Sequence, residues 1–172
     1  MKNITLTLLT AILISCTDNQ NTQLTAPENP NYLFQATYSQ DFTMGNPELV
    51  VKFQNLLKNC QEKKLDNLSS YFTDDVVWSL PDGNRIEGKD SVVYYLTDFW
   101  SSSATVTDYS SAVHFCVKTK EGEEWVLIWD SQTINDVGIR YQEAIAFEGS
   151  KIRFMNTFTK PRKELPTLSS RD

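Results

Sequence analysis

The sequence predicts an α+β domain in which helices cover one face of a curved antiparallel sheet. Three observations lead there. Apolar residues recur at helical spacing over Leu49–Cys60 and again over Val92–Trp100. Four strand-like runs then follow one another through Thr105–Thr159, separated only by short breaks rich in Gly, Asn and Asp. The helical segments come first and the strands last, the order expected when helices pack on an antiparallel sheet instead of alternating with parallel strands.

Asn46-Pro47-Glu48 opens the first helix: Asn caps, Pro suits the first turn, and Glu complements the positive end of the helix dipole. Leu49, Val50, Phe53, Leu56, Leu57 and Cys60 form its apolar stripe. Leu65–Phe72 supplies a shorter helix through Leu65, Leu68, Tyr71 and Phe72. Val76–Leu80 reads as a short strand stopped by Pro81-Asp82-Gly83-Asn84. A third helix follows Gly88, with Val92, Val93, Leu96, Phe99 and Trp100 on its buried side. The strands are then Tyr109–Lys118, Glu124–Ile134, Ile139–Phe147 and Lys151–Thr159.

Closing each hairpin symmetrically about its turn sets the pairing. Phe147 falls opposite Ile152, Ile145 opposite Phe154, Glu143 opposite Asn156, Asp130 opposite Glu143, and Val113 opposite Asp130. Because side chains alternate across a strand, one face collects Val113, Phe115, Val117, Val126, Ile128, Tyr141, Ile145, Phe147, Ile152, Phe154 and Phe158. Asp130, Glu143 and Asn156 run through this apolar row. A carboxylate there is costly unless partnered. Two carboxyls facing one another in a poorly hydrated site do not both ionise easily, so Asp130 and Glu143 are the candidate catalytic pair for dividing acid and base roles. Asn156, Tyr141, Trp78 and Phe154 are the candidate ligand-binding residues, Asn156 orienting a carboxyl or a ligand carbonyl. The structural alternative is that both acids bond to buried backbone or helix groups and serve only the fold. The opposite face carries Trp125, Leu127, Trp129, His114 and Cys116, and reads either as a dimer surface or as a ligand platform.

Residues 1–15 read as a signal peptide: Lys2 is followed by the apolar run Ile4–Ile14, too short to span a bilayer. The run ends in Leu13-Ile14-Ser15-Cys16, which resembles the bacterial lipobox. That resemblance implies cleavage before Cys16, lipidation of its thiol, and an extracytoplasmic domain held to a bacterial cell membrane by acyl chains alone. Residues 16–45, rich in Asn, Gln, Thr and Pro, read as a tether, residues 46–160 as the domain, and residues 161–172 as a tail. A net charge of −6 with no basic stripe argues against nucleic-acid binding. The single histidine and the lack of a CxxC or HxxxH spacing give no reason to expect a metal, and no cofactor motif is present. Cys60 and Cys116 remain, on opposite faces in this register, which argues against a disulfide.

The residues from Pro47 to Thr159 resemble the nuclear-transport-factor-2-like superfamily, with its SnoaL-like and ketosteroid-isomerase-like branches. The resemblance is carried by the first helix, by Leu65-Asp66-Asn67-Leu68 leading to Tyr71-Phe72-Thr73-Asp74-Asp75-Val76, by Glu87-Gly88-Lys89-Asp90, and by Phe147-Glu148-Gly149-Ser150-Lys151-Ile152. It implies a cone-shaped α+β barrel with a pocket between helices and sheet, a small-molecule ligand, and frequent homodimers. Aligned without gaps through Asp74-Asp75, the isomerase general base falls at Leu80 and its oxyanion-hole tyrosine at Leu56. Its second oxyanion-hole acid falls near Glu143. The expected function is therefore binding of a small, partly apolar molecule. Isomerase, cyclase or hydrolase chemistry by the pocket carboxylates is one alternative, and a non-catalytic dimerisation module is another.

Overall fold

A computed structural model describes residues 41–102 and 105–162. The expectations for the signal peptide, for Cys16 and for most of the tether and tail fall outside the described residues. In chain order the elements are β1 (Phe42–Met44), α1 (Glu48–Gln61), a 3-10 turn (Leu68–Tyr71), β2 (Phe72–Ser79), β3 (Arg85–Glu87), α2 (Lys89–Ser101), β4 (Val106–Thr119), β5 (Glu124–Ile134), β6 (Val137–Glu148) and β7 (Lys151–Pro161).

The seven strands form one sheet in the order β1-β4-β5-β6-β7-β2-β3. β4 to β7 make an antiparallel meander, but β2 lies parallel to β7, with Trp78 paired to Met155 and Ser79 to Asn156. The sheet is therefore mixed, where the sequence suggested a purely antiparallel one. The short strands β1 and β3 were not foreseen; three residues give too little alternation to read. β2 runs over Phe72–Ser79 where only Val76–Leu80 was expected, and the second helix shrinks to the 3-10 turn.

α1 begins as its sequence dictates: the Asn46 side-chain oxygen accepts the Glu48 amide at 3.0 Å. It buries Leu49, Val50, Phe53, Leu56 and Cys60, and α2 buries Val92, Leu96 and Trp100. These stripes meet Val126, Ile128, Ile145, Phe147, Ile152 and Met155 from the sheet in one core. Gly45 brings α1 close to β4. Its amide donates to the Cys116 carbonyl at 2.8 Å, and a Cβ there would lie 2.6 Å from Cys116 Sγ.

Three departures from symmetric hairpins change the register. The β5–β6 turn is two residues, Asn135-Asp136, both at positive φ, so Ile134 pairs with Val137 and not with Ile139. That shift of two preserves the faces: Asp130 pairs with Tyr141, Glu143 with Ile128, and all four stay on the helix side. In β7 the extra residue Arg153 forms a bulge, so Phe147 pairs with Ile152 but Ala146 with Phe154 and Glu143 with Thr157. A one-residue slip exchanges the two faces. Met155, Thr157 and Thr159 therefore point beneath the helices, while Phe154, Asn156 and Phe158 point away. In β4 the β5 pairing is Cys116 with Val126, which turns Val113, Phe115 and Val117 outward. Cys116 is buried on the helix side rather than outward, and both Cys60 and Cys116 are free thiols.

Candidate functional site

The helices do not fill the concave side of the sheet completely. Phe53, Leu56, Leu57 and Cys60 from α1 and Leu96, Phe99 and Trp100 from α2 roof a cavity of about 190 Å³. Trp78, Leu80, Pro81 and Tyr95 close one side. The sheet supplies a floor that is largely polar: Glu143 and Thr157, then Tyr141 and Thr159, then Gln132. Leu56 and Leu80, the positions aligned with the isomerase tyrosine and base, are both in the wall, so that part of the cavity is apolar here.

Among the described residues, Glu143 is the one carboxyl lining the cavity, and no Lys, Arg or His lines it. The Trp78 indole N–H donates to Thr157 Oγ1 at 3.0 Å, and the Thr157 hydroxyl donates to Glu143 Oε1 at 3.2 Å. An indole nitrogen can only donate, so this chain runs from β2 through β7 into β6. No described residue bonds Oε2. Trp78 is fixed further by an edge-on contact with Tyr95, ring centroids 5.5 Å apart. Burial raises the Glu143 pKa to about 8, the charge of Asp130 adds to the rise, and the Thr157 hydrogen bond opposes it. At neutral pH Glu143 is mostly the neutral acid.

Asp130 shares the helix-side face but does not line the cavity. It lies deeper, only 5% exposed, beside Tyr109 and directly across from Tyr141. Burial raises its pKa to about 6, and the neighbouring Tyr109 hydroxyl works against that rise. The two acids are thus neighbours of unequal protonation: near pH 7 Asp130 is the charged member and Glu143 the neutral one. Burial, with the Asp130 charge second, pushes the Tyr109 hydroxyl upward. Burial, with the Glu143 charge second, raises Tyr141 to about 12. Both phenols are donors throughout the ordinary pH range.

Of the residues singled out in the sequence, the cavity brings together Glu143, Tyr141 and Trp78 and leaves Asp130 just behind them. Asn156 and Phe154 are corrections. The Arg153 bulge turns both to the convex face, where Phe154 packs edge-on against Trp125 with centroids 6.0 Å apart. Thr157, Thr159 and Gln132 take the polar positions on the floor that the sequence register had not assigned. Gln132 was within reach of sequence reasoning, since it continues the Val126-Ile128-Asp130 alternation by one more step. Thr157 was not, because its direction depends on the bulge. His114 is exposed, its Nδ1 3.2 Å from Ser111 Oγ, and lies away from the cavity. Among the described residues no group of three His, Cys, Asp or Glu side chains is placed to hold a metal ion.

Comparisons with known proteins agree with this architecture. No match is found among curated proteins. Among solved structures, a putative ketosteroid isomerase from Kribbella flavida superposes with a TM-score of 0.56 at 10% identity, covering 72% of this chain and 85% of that one. An NTF2-like protein of unknown function from Mesorhizobium loti gives 0.54 at 12% identity, covering 69% and 97%. A steroid delta-isomerase from Pseudomonas aeruginosa gives 0.52 at 14% identity, covering 67% and 82%. At these identities the likeness is one of fold: the α+β cone of the NTF2-like proteins. The family model described as SnoaL-like domain matches residues 53–160, the stretch that builds both roof and floor of the cavity. The chain belongs to the SnoaL-like domain family.

Proposed function

We propose that this domain binds a small, neutral, partly apolar molecule in the cone cavity and holds a carbonyl-type acceptor of that molecule with the acid form of Glu143. The observation that carries this reading is the donor chain Trp78–Thr157–Glu143 ending at an Oε2 that no described residue bonds, inside a mostly apolar chamber. A neutral acid with Oε1 already accepting from Thr157 has its own proton to give on Oε2. The volume supports a ligand of about one ring with a few substituents, since a dry cavity of about 150 Å³ is enough for benzene. No described residue lines the cavity with a cation, which weighs against carboxylate ligands, whose charge would meet Glu143 and Asp130 uncompensated.

The test is a thermal-shift and calorimetric comparison of ring ketones with ring carboxylates of equal size on the purified chain. Ketones are expected to bind, to survive Glu143→Gln, and to be lost in Glu143→Leu. Equal binding of carboxylates, or indifference to Glu143→Leu, overturns the reading.

A second reading is supported by the nearness of charged Asp130 to neutral Glu143, a pair able to exchange one proton. On it the domain is an isomerase, cyclase or hydrolase, and Glu143→Gln loses turnover while keeping binding. The half-exposed aromatic residues on the convex face support a homodimer through that face. The sequence Leu13-Ile14-Ser15-Cys16 supports attachment to a bacterial membrane through lipidated Cys16. Labelling cells with a fatty-acid analogue should mark the chain and spare Cys16→Ser.

A further inference from the structure

Thr157 governs more than the position of Glu143. It is only 4% exposed, and its hydroxyl has two partners, the Trp78 indole N–H at 3.0 Å and Glu143 Oε1 at 3.2 Å. An indole nitrogen can only donate, so the Trp78 contact takes a lone pair of the hydroxyl and the Thr157 proton goes to Glu143. Were the hydroxyl to accept from the acid instead, its own proton would be buried without a partner, a costly arrangement. Oε1 is thus an acceptor already in use. Oε2 has no partner among the described residues, yet it is not one of the buried atoms that lack one, so it keeps a surface open to the cavity. What Oε2 presents there depends on a single proton. The neutral acid presents an O–H, which donates strongly and accepts poorly; the carboxylate presents lone pairs alone. The titratable groups that face Glu143 are Asp130 from β5, Tyr109 from β4, Tyr141 from its own strand, and Cys60 and Tyr95 from the helices. No cation is among them, and Asp130 is already charged near neutrality.

We infer that Thr157 makes the cavity selective for hydrogen-bond polarity. While Glu143 carries its proton, the cavity takes a ring that offers an acceptor over an equal ring that offers only a donor; when Glu143 ionises, the order reverses. Thr157 is the positioning residue, since it reserves Oε1 and leaves Oε2 to meet the ligand. This inference rests on the carbonyl-binding reading above and adds the residue that sets the selectivity and the proton that inverts it. The roof of Phe53, Leu56, Leu57 and Leu96 is apolar and serves either ring equally, so discrimination falls to Glu143.

Cyclopentanone and pyrrole are the probes: the ketone only accepts, and pyrrole only donates because its nitrogen lone pair belongs to the ring. Calorimetry on the full chain compares them at about pH 7 and about pH 9, on either side of the Glu143 midpoint of about 8. In the wild type, cyclopentanone is expected to bind about tenfold tighter than pyrrole at the lower pH, and pyrrole to be the tighter of the two at the higher. Glu143→Gln turns an N–H to the cavity at every pH, so it should keep the lower-pH order throughout. Thr157→Val removes a donor that favours the carboxylate, so the pH of inversion should rise. Thr157→Ser keeps the hydroxyl and should leave that pH unmoved. The wild-type and Gln measurements stand as the test even where the Val variant does not fold. Equal affinities at the lower pH, an order that ignores pH, an inversion that persists in Glu143→Gln, or an unmoved inversion in Thr157→Val overturns the inference and leaves the carbonyl reading standing. Failure of cyclopentanone to bind the wild-type chain at the lower pH overturns both.

Discussion

Replacing Glu143 with Gln should make the protein more stable, and increasingly so as pH rises. In the folded chain this carboxyl titrates at about 8, against 4.5 when unperturbed. The native state therefore holds a proton that the unfolded chain releases across that window. A group whose folded pKa is raised gives stability that is fully present below the unfolded value and lost as pH climbs through the folded one. A gap of 3.5 units at about 1.4 kcal/mol each sets a ceiling of about 5 kcal/mol. Glu143 borders a cavity rather than solid protein, which softens its surroundings, so a loss of about 2–4 kcal/mol is the working figure. Gln keeps the shape and the acceptor for Thr157 but has nothing to ionise. Urea denaturation of both chains at about pH 5 and about pH 8.5 reads the difference. The variant should match the wild type at the lower pH and exceed it by about 2–4 kcal/mol at the higher one. Parallel stability curves at the two pH values would refute the claim that burial and Asp130 hold a proton on Glu143.

Three further outcomes follow from the same packing. Asp130→Asn removes the charge that helps to raise Glu143, so the Glu143 midpoint, followed by carboxyl carbon NMR, should move down; an unmoved or higher midpoint contradicts the coupling. Gly45→Ala places a Cβ 2.6 Å from Cys116 Sγ and 3.0 Å from the Val117 carbonyl carbon, and should cost about 1–3 kcal/mol in urea denaturation. Trp129, 46% exposed on the convex face, is the place to test the homodimer proposed above: on that proposal the wild-type chain sediments as a dimer and Trp129→Glu as a monomer with no loss of helix signal, and an unchanged sedimentation coefficient removes that face from consideration.

How much of this was legible depended on whether the two faces of a strand differ. α1 and α2 were readable because their apolar stripes stand against polar backs, and α1 also announces its start with Asn46-Pro47-Glu48. β5 and β6 were readable for the same reason. Asp130 and Glu143 kept their side even though the hairpin closed two residues tighter than expected, since a shift of two leaves the alternation intact. β7 offered no such contrast. Ile152, Phe154 and Phe158 form one alternating set and Met155 belongs to the other, so apolarity alone could not reveal that Arg153 is an extra residue. β4 misled for a related reason: Val113, Phe115 and Val117 make its more apolar row, yet that row faces outward. A convex face as apolar as the concave one defeats any reading that assigns the oilier side to the core. The polar floor was therefore half found, with Glu143 and Tyr141 assigned from alternation and Thr157 hidden by the bulge.

The parallel pairing of β2 with β7 has a consequence for how the chamber comes into being. Trp78 and Thr157 lie 79 residues apart in the chain, and β2 has no other neighbour in the sheet except the three-residue β3. During synthesis β2, β3 and both helices leave the ribosome well before β7, the strand that seats them beside β6. Roof and floor are thus made at opposite ends of translation. A closed cavity should be the last feature a growing chain acquires, completed when one strand slides into the middle of the sheet.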